Sequence, residues 1–268
     1  MTALFLAGLA LFASCSKADE TLRPHILVAV SSNFQSTLEA LLPLFEGEQG
    51  CTADLVVAST GILYAQIRNG APYDVFLAAD TERPELLDQQ GVAIAGSRFT
   101  YAHGKLVLWS RKENYFTASA PVSGADLTHG ANGSGSPNTL QQLPSDLQHF
   151  AIANPKLAPY GRAAEEVLRA LGLWDRYEER LVRGENIGHT FQYVYSGNAE
   201  VGLLAYSQLQ DPAHPASGSF WVVPEDLYAP IEQQAVLLTD QANSRAFLDF
   251  LRSPEAQKIM HKHGYGTP

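Results

Sequence analysis

"VAVSSNFQSTLEALLPLF", residues 28–45, decides the fold. An apolar, strand-like run, Val28 to Val30, stops at three small uncharged polar residues, Ser31, Ser32 and Asn33. A helical spacing begins at once, with Leu38, Leu41, Leu42 and Phe45 on one face. A strand that runs straight into a helix is the opening half of a βαβ unit.

The alternation continues outward from this stretch. Strands are predicted at Ile26–Val30, Asp54–Ala58, Asp74–Ala78, Lys105–Ser110, Phe150–Ala153, Val201–Tyr206 and Glu232–Leu238. Helices are predicted at Phe34–Glu48, Ile62–Asn69, Thr81–Gln90, Gly161–Leu171 and Thr190–Ser196, with a C-terminal helical region at Ser244–His263 broken by Pro254. This order implies an α/β fold of mainly parallel sheets flanked by crossover helices. Residues 118–148, rich in Ser, Gly, Ala and Pro, read as a flexible loop. The Gly-x-Gly within them lacks the preceding strand and following helix that a nucleotide fingerprint requires.

The uncharged junction recurs. Ser59-Thr60-Gly61 follows the second strand, Asn154–Gly161 follows Phe150–Ala153, and Gly184–Thr190 opens another helix. A helix start carries unpaired N–H groups and partial positive charge. Ser, Thr and Asn add neutral donors there, so several such ends facing one cavity can hold an anion without Lys or Arg. Each junction taken singly is also an ordinary N-cap.

Composition sets the outer bounds. A chain of 268 residues implies about two domains, and 46% hydrophobic residues suffice for a core. The formal net charge of −10 argues against nucleic acid and anionic membrane surfaces as partners. Residues 1–15, "MTALFLAGLALFASC", resemble a signal-peptide core ending in a lipobox, which implies cleavage before Cys15 and its lipidation. Residues 16–24 read as a tether. Cys51 then has no partner and is expected to pack as a small hydrophobe.

Two other classes fit poorly. A hydrolase would need a nucleophile motif in context, and "ASTG" lacks the leading Gly of a nucleophile elbow. A metal centre would need clustered ligands, whereas His261 and His263 are spaced two apart at a helix end. Asp80, with Glu82 and Pro84 behind it, reads as a helix cap.

The stretches "VAVSSNFQSTLEAL", "ASTGILYAQIRNGAPYDVFLAAD", "GSRFTYAHGKLVLWS", "AIANPKLAPYGRAAEEVLRALG", "VGLLAYSQL" and "FLDFLRSPEAQKIMHKHGYG" cover most of residues 26–265. Together they resemble the substrate-binding proteins of molybdate ABC transporters, of the type II periplasmic-binding-protein fold. That resemblance implies a two-lobed protein, with lobe one at 25–104 and 222–268 and lobe two at 105–221. The strands near Lys105–Ser110 and Gln233–Leu238 would cross between the lobes as a hinge. It implies capture of molybdate or tungstate for an ABC permease, no enzymatic activity, no cofactor and no metal cation site. It also implies a monomer in the periplasm or at the cell-envelope exterior, held to membrane only through lipid on Cys15. By the same resemblance the ligand-binding residues are Ser32, Asn33, Thr60, Tyr160 and Ile187, the last two through backbone N–H, with Ser31 and Ser59 ranked lower. Ala205 stands where some members carry a Tyr hydroxyl, so that donor is absent here or supplied by Asn33. A different oxyanion such as sulfate is the alternative ligand.

Overall fold

The computed structural model describes residues 24–113, 115, 139–141, 143–144, 146–212 and 215–266. The apolar leader with Cys15, nearly all of the tether and most of the 118–148 interlude lie outside the described residues.

The first sheet gathers β1 (His25–Ser31), β2 (Thr52–Ala58), β3 (Val75–Leu77), β4 (Phe99–Gly104) and β10 (Ile231–Leu237), in the order β2-β1-β3-β10-β4. The second gathers β5 (Leu106–Ser110), β6 (Phe150–Ala153), β7 (Leu181–Gly184), β8 (Val201–Ala205) and β9 (Ser219–Val222), in the order β7-β6-β8-β5-β9. Both sheets are mixed. β1 runs parallel to β2 and β3, and β6 runs parallel to β7 and β8. β10 is antiparallel to β3 and β4, and β5 is antiparallel to β8 and β9.

The continuous apolar runs follow from burial on both sheet faces. Val28, Val30, Leu77 and Ala235 pack on one side, with α1 (Gln35–Gln49), α8 (Ala242–Leu251) and α9 (Pro254–Lys262). Their neighbours Ala29, Phe76 and Val236 point to the other, with α2 (Thr60–Arg68) and α3 (Glu82–Gln89). Side chains alternate along a strand, so a run without polar breaks feeds two cores. In α1 three of the four predicted stripe residues, Leu38, Leu41 and Phe45, are buried, Leu42 is partly buried against the same core, and Phe45 meets Phe247 edge-on at 5.1 Å. The break at Pro254 is where α8 gives way to α9, whose N-cap Ser253 accepts the N–H of Ala256 at 3.1 Å.

Around the second sheet lie α4 (Pro159–Ala170), α6 (Ile187–Tyr195), and two short helices, α5 (Trp174–Tyr177) and α7 (Tyr206–Leu209). Three strands escape a periodicity reading: β4, β7 and β9. All are sheet edges, and β7 and β9 have only four residues each.

One expectation is corrected. The strands near Lys105–Ser110 and Gln233–Leu238 do not cross between sheets. β5 lies wholly in the second sheet, where every residue is buried, and β10 lies wholly in the first. The chain passes between sheets at Lys105, the single residue separating β4 from β5, and at residues 223–230 between β9 and β10. Ladder pairing fixes a strand along its length, so the crossings fall where pairing lapses.

Cys51 is free and buried, its Sγ–H pointing to the Thr52 carbonyl at 3.4 Å. Burial pushes its thiol up, aided by the nearby charges of Glu46 and Asp74. Among the described residues no helix is long and apolar enough to cross a membrane.

Gly161 shows how tightly the α4 start seats on β6, because a Cβ there would collide with the carbonyl of Ala153 and meet the Asn154 carbonyl carbon at 2.8 Å. Backbone cannot yield as a side-chain tip can, so Gly161→Ala is expected to cost about 1–3 kcal/mol. Urea denaturation of the two proteins checks this.

Candidate functional site

Four helix starts meet at the carboxyl ends of the parallel strands. The Ser31 hydroxyl, closing β1, pairs with the Thr60 hydroxyl opening α2 at 2.5 Å. Gly61 in the α2 start donates its N–H to Leu157 ahead of α4 at 2.9 Å. Asn154, leaving β6 toward α4, donates its N–H to Gly184, which leaves β7 toward α6, at 2.8 Å. Gly188 in the α6 start donates its N–H back to Ser32 Oγ at 3.3 Å. The contacts form a ring that crosses between the two lobes twice. Gly61 is needed at one crossing, since a Cβ there would stand 2.9 Å from the Leu157 oxygen.

The ring decides what the junctions are. If they were plain N-caps, their side chains would accept first-turn N–H bonds. Only α6 has that cap, with Asn186 Oδ1 accepting the N–H of His189 at 2.9 Å. The starts of α1, α2 and α4 carry no side-chain cap. Their first-turn donors are therefore not consumed by their own caps.

The hydroxyls can be counted. Thr60 Oγ1 accepts the Ala79 N–H at 3.1 Å and shares the bond with Ser31. Two hydroxyls have two protons, and the bond between them uses one. The other proton remains to be donated elsewhere. Ser59 Oγ, buried at the same helix start, has no hydrogen-bond partner. An unpaired buried hydroxyl costs free energy unless a ligand or water completes it.

Tyr160 and Ile187 occupy the first turns of α4 and α6, where a backbone N–H has no intrahelical acceptor. Their side chains point into packing. The Tyr160 hydroxyl accepts from Gln233 Nε2 at 3.4 Å and lies against Gly104 at the crossing.

Asn33 departs from expectation. Its side-chain nitrogen donates to Gln233 Oε1 at 2.8 Å and to the Tyr265 hydroxyl at 3.0 Å. An amide nitrogen has two protons, so both are used. The side chain therefore does not stand in for the hydroxyl missing at Ala205, a fully buried methyl at the end of β8. Asn33 instead joins a buried polar network. Tyr265 donates to the Asn33 carbonyl at 2.7 Å, Tyr101 lies 3.1 Å from Gln233 Oε1, and Ser207 reaches the Asn33 carbonyl from the other lobe at 3.3 Å. Burial holds the phenols of Tyr101, Tyr160 and Tyr265 well above the ordinary tyrosine range, so they stay neutral.

Sequence reading missed this network and a charged cluster beside it. Asp80 does accept the N–H of Arg83 at 3.2 Å, and it also pairs with the Arg83 guanidinium. Burial raises the Asp80 carboxyl, and Arg83 opposes that rise. Arg83 Nη2 lies 3.3 Å from where a Gly61 Cβ would sit, so a neutralised cation flanks the α2 start. The i, i+3 spacing of Asp80 and Arg83 was a visible signal; the Gln233 and Tyr265 partners, over 190 residues away, left none.

The family model for bacterial extracellular solute-binding proteins matches residues 26–266. The molybdate-binding protein ModA of Azotobacter vinelandii is 41% identical over 262 residues, covering 97% of this chain and 94% of that one. ModA of Rhodobacter capsulatus is 42% identical over 246 residues, covering 91% and 88%. The solved Azotobacter vinelandii periplasmic molybdate-binding protein superposes with a TM-score of 0.77 at 38% identity, covering 91% of this chain and 99% of that one.

The two polar groups predict opposite stability effects. Ser59→Ala removes an unpartnered hydroxyl and is expected to leave the melting temperature unchanged or raised. Asn33→Ala removes the amide that donates to both Gln233 and Tyr265 and leaves a void in the buried network, and is expected to cost about 1–3 kcal/mol. Thermal melts of ligand-free protein separate the two.

Proposed function

The chain belongs to the bacterial extracellular solute-binding protein family and has the type II periplasmic-binding-protein fold, and from that premise we propose that it captures molybdate or tungstate for an ABC importer. The observation that carries the reading is the ring of helix starts, three without side-chain caps, with a buried unpaired Ser59 hydroxyl at the start of α2. The relatives named molybdate-binding proteins support the choice of ion.

The tetrahedral dianion sits where both lobes reach it. Ser32, Ser59 and the Ser31–Thr60 pair supply hydroxyl protons, and Tyr160 and Ile187 supply backbone N–H groups. Asn33 contributes through its position in the chain, since its side-chain protons are spent. Each charge-assisted hydrogen bond contributes roughly 1.5–3 kcal/mol. A donor-only site suits an unprotonated dianion and leaves the proton of hydrogen phosphate without an acceptor. Sulfate has the same charge and shape but is smaller, so it cannot reach every donor at once, and those it misses stay buried and unpaired.

Binding is the whole activity: the protein is no enzyme and needs no cofactor. An ion that contacts both lobes favours their closure, and the permease reads the closed form. The protein acts as a monomer in the periplasm or at the envelope exterior, with lipid on Cys15 as its anchor.

Calorimetric titration tests the reading. Molybdate and tungstate are expected to bind one to one, with sulfate and phosphate binding far more weakly or not at all. Thr60→Val keeps the shape and removes the proton, and is expected to weaken molybdate about 10- to 100-fold. Equal sulfate affinity would overturn the specificity, and no oxyanion binding would overturn the function.

A further inference from the structure

Arg162 sits in the first turn of α4, where a cation opposes the helix dipole. Its placement is explained by the other lobe. Its Nη1 donates to Glu82 Oε2 at 2.9 Å, and its Nη2 lies 3.8 Å from Asp80 Oδ2. Both carboxylates belong to the segment opening α3 on the first sheet, whereas α4 packs on the second. These groups line a pocket between the lobes, together with Glu166 and Glu232.

Resting on the proposed capture of an oxyanion, we infer that Arg162 is a positioning residue that latches the cleft shut without touching the ion. One arm of the guanidinium donates to Glu82 and the other faces Asp80 at ion-pair distance, so its charge is turned toward carboxylates of the other lobe. Opening strands no charge. Asp80 keeps Arg83, its partner within α3, while Arg162 and the exposed Glu82 pass into water. A latch of this kind is weak by design, because half-exposed pairs contribute little. It acts on how long the lobes stay together, and so on release more than on capture. Ions met by the ring donors then leave only after the latch has parted.

A charge swap separates a latch from a direct contact. Arg162→Glu, Glu82→Arg and the double variant are compared by stopped-flow release of molybdate. Amide hydrogen exchange of Gly61 and Gly188, the two cross-lobe donors, is measured in parallel without ligand. Each single variant is expected to speed release about 5-fold and to speed exchange at both glycines, including Gly188 on the distant α6. The double variant is expected to restore most of both. Singles that leave exchange at Gly188 unchanged would overturn the latch. So would singles that speed release with no rescue by the swap, which would make Arg162 a cation acting on the ion itself. If the unaltered protein binds no molybdate, the function proposed above fails, and the exchange measurements alone still decide the latch.

Discussion

The rest of the structure depends on one constraint: a helix cannot satisfy the N–H groups of its own first turn. Most proteins spend a side chain on this at each helix start. Here α1, α2 and α4 do not, and the structure turns their starts, with that of α6, toward one another. Positive potential is gathered without a free cation, in a chain of formal net charge −10. A fixed lysine would attract any anion. Oriented neutral donors reward only an ion whose oxygens match them in number and spacing.

Two sheets are needed because one cannot bring four helix starts face to face. β1 and β2 deliver α1 and α2; β6 and β7 deliver α4 and α6. The lobes are joined by Lys105 and by residues 223–230, and the buried network of Asn33, Tyr101, Gln233 and Tyr265 sits close to these crossings. Tyr160 and Ser207 extend it into the second lobe. A fully paired polar network fixes geometry better than an apolar one of equal size, because each member accepts only a few partners. It sets where the lobes meet, while the charged pairs at the rim bear on how readily they part.

Much of this was legible in the sequence, and for definite reasons. The doubly buried strands β1, β3 and β6 write continuous apolar runs, and α1 writes its stripe at Leu38, Leu41 and Phe45. The edge strands β4, β7 and β9 write no such run, so one edge of the first sheet and both edges of the second were not read. At the site, Ser31, Ser32, Ser59 and Thr60 could be picked out because they sit at strand-to-helix junctions, a local feature. The fate of the Asn33 side chain could not, since Gln233 and Tyr265 approach it from the far end of the chain. Arg162 escaped for the same reason: its carboxylates, Asp80 and Glu82, lie 80 residues away and on the other lobe.

The proposed site holds its ion by hydroxyls and first-turn N–H groups alone. A crystal structure of the molybdate complex, with the metal located by anomalous scattering, tests it most directly. The ion's oxygens are expected within hydrogen-bond distance of the Ser32 and Ser59 hydroxyls, the Ser31–Thr60 pair, and the backbone N–H groups of Tyr160 and Ile187. Arg83 and Arg162 should remain on their carboxylates. An ion found against either guanidinium, with the helix starts untouched, would contradict it.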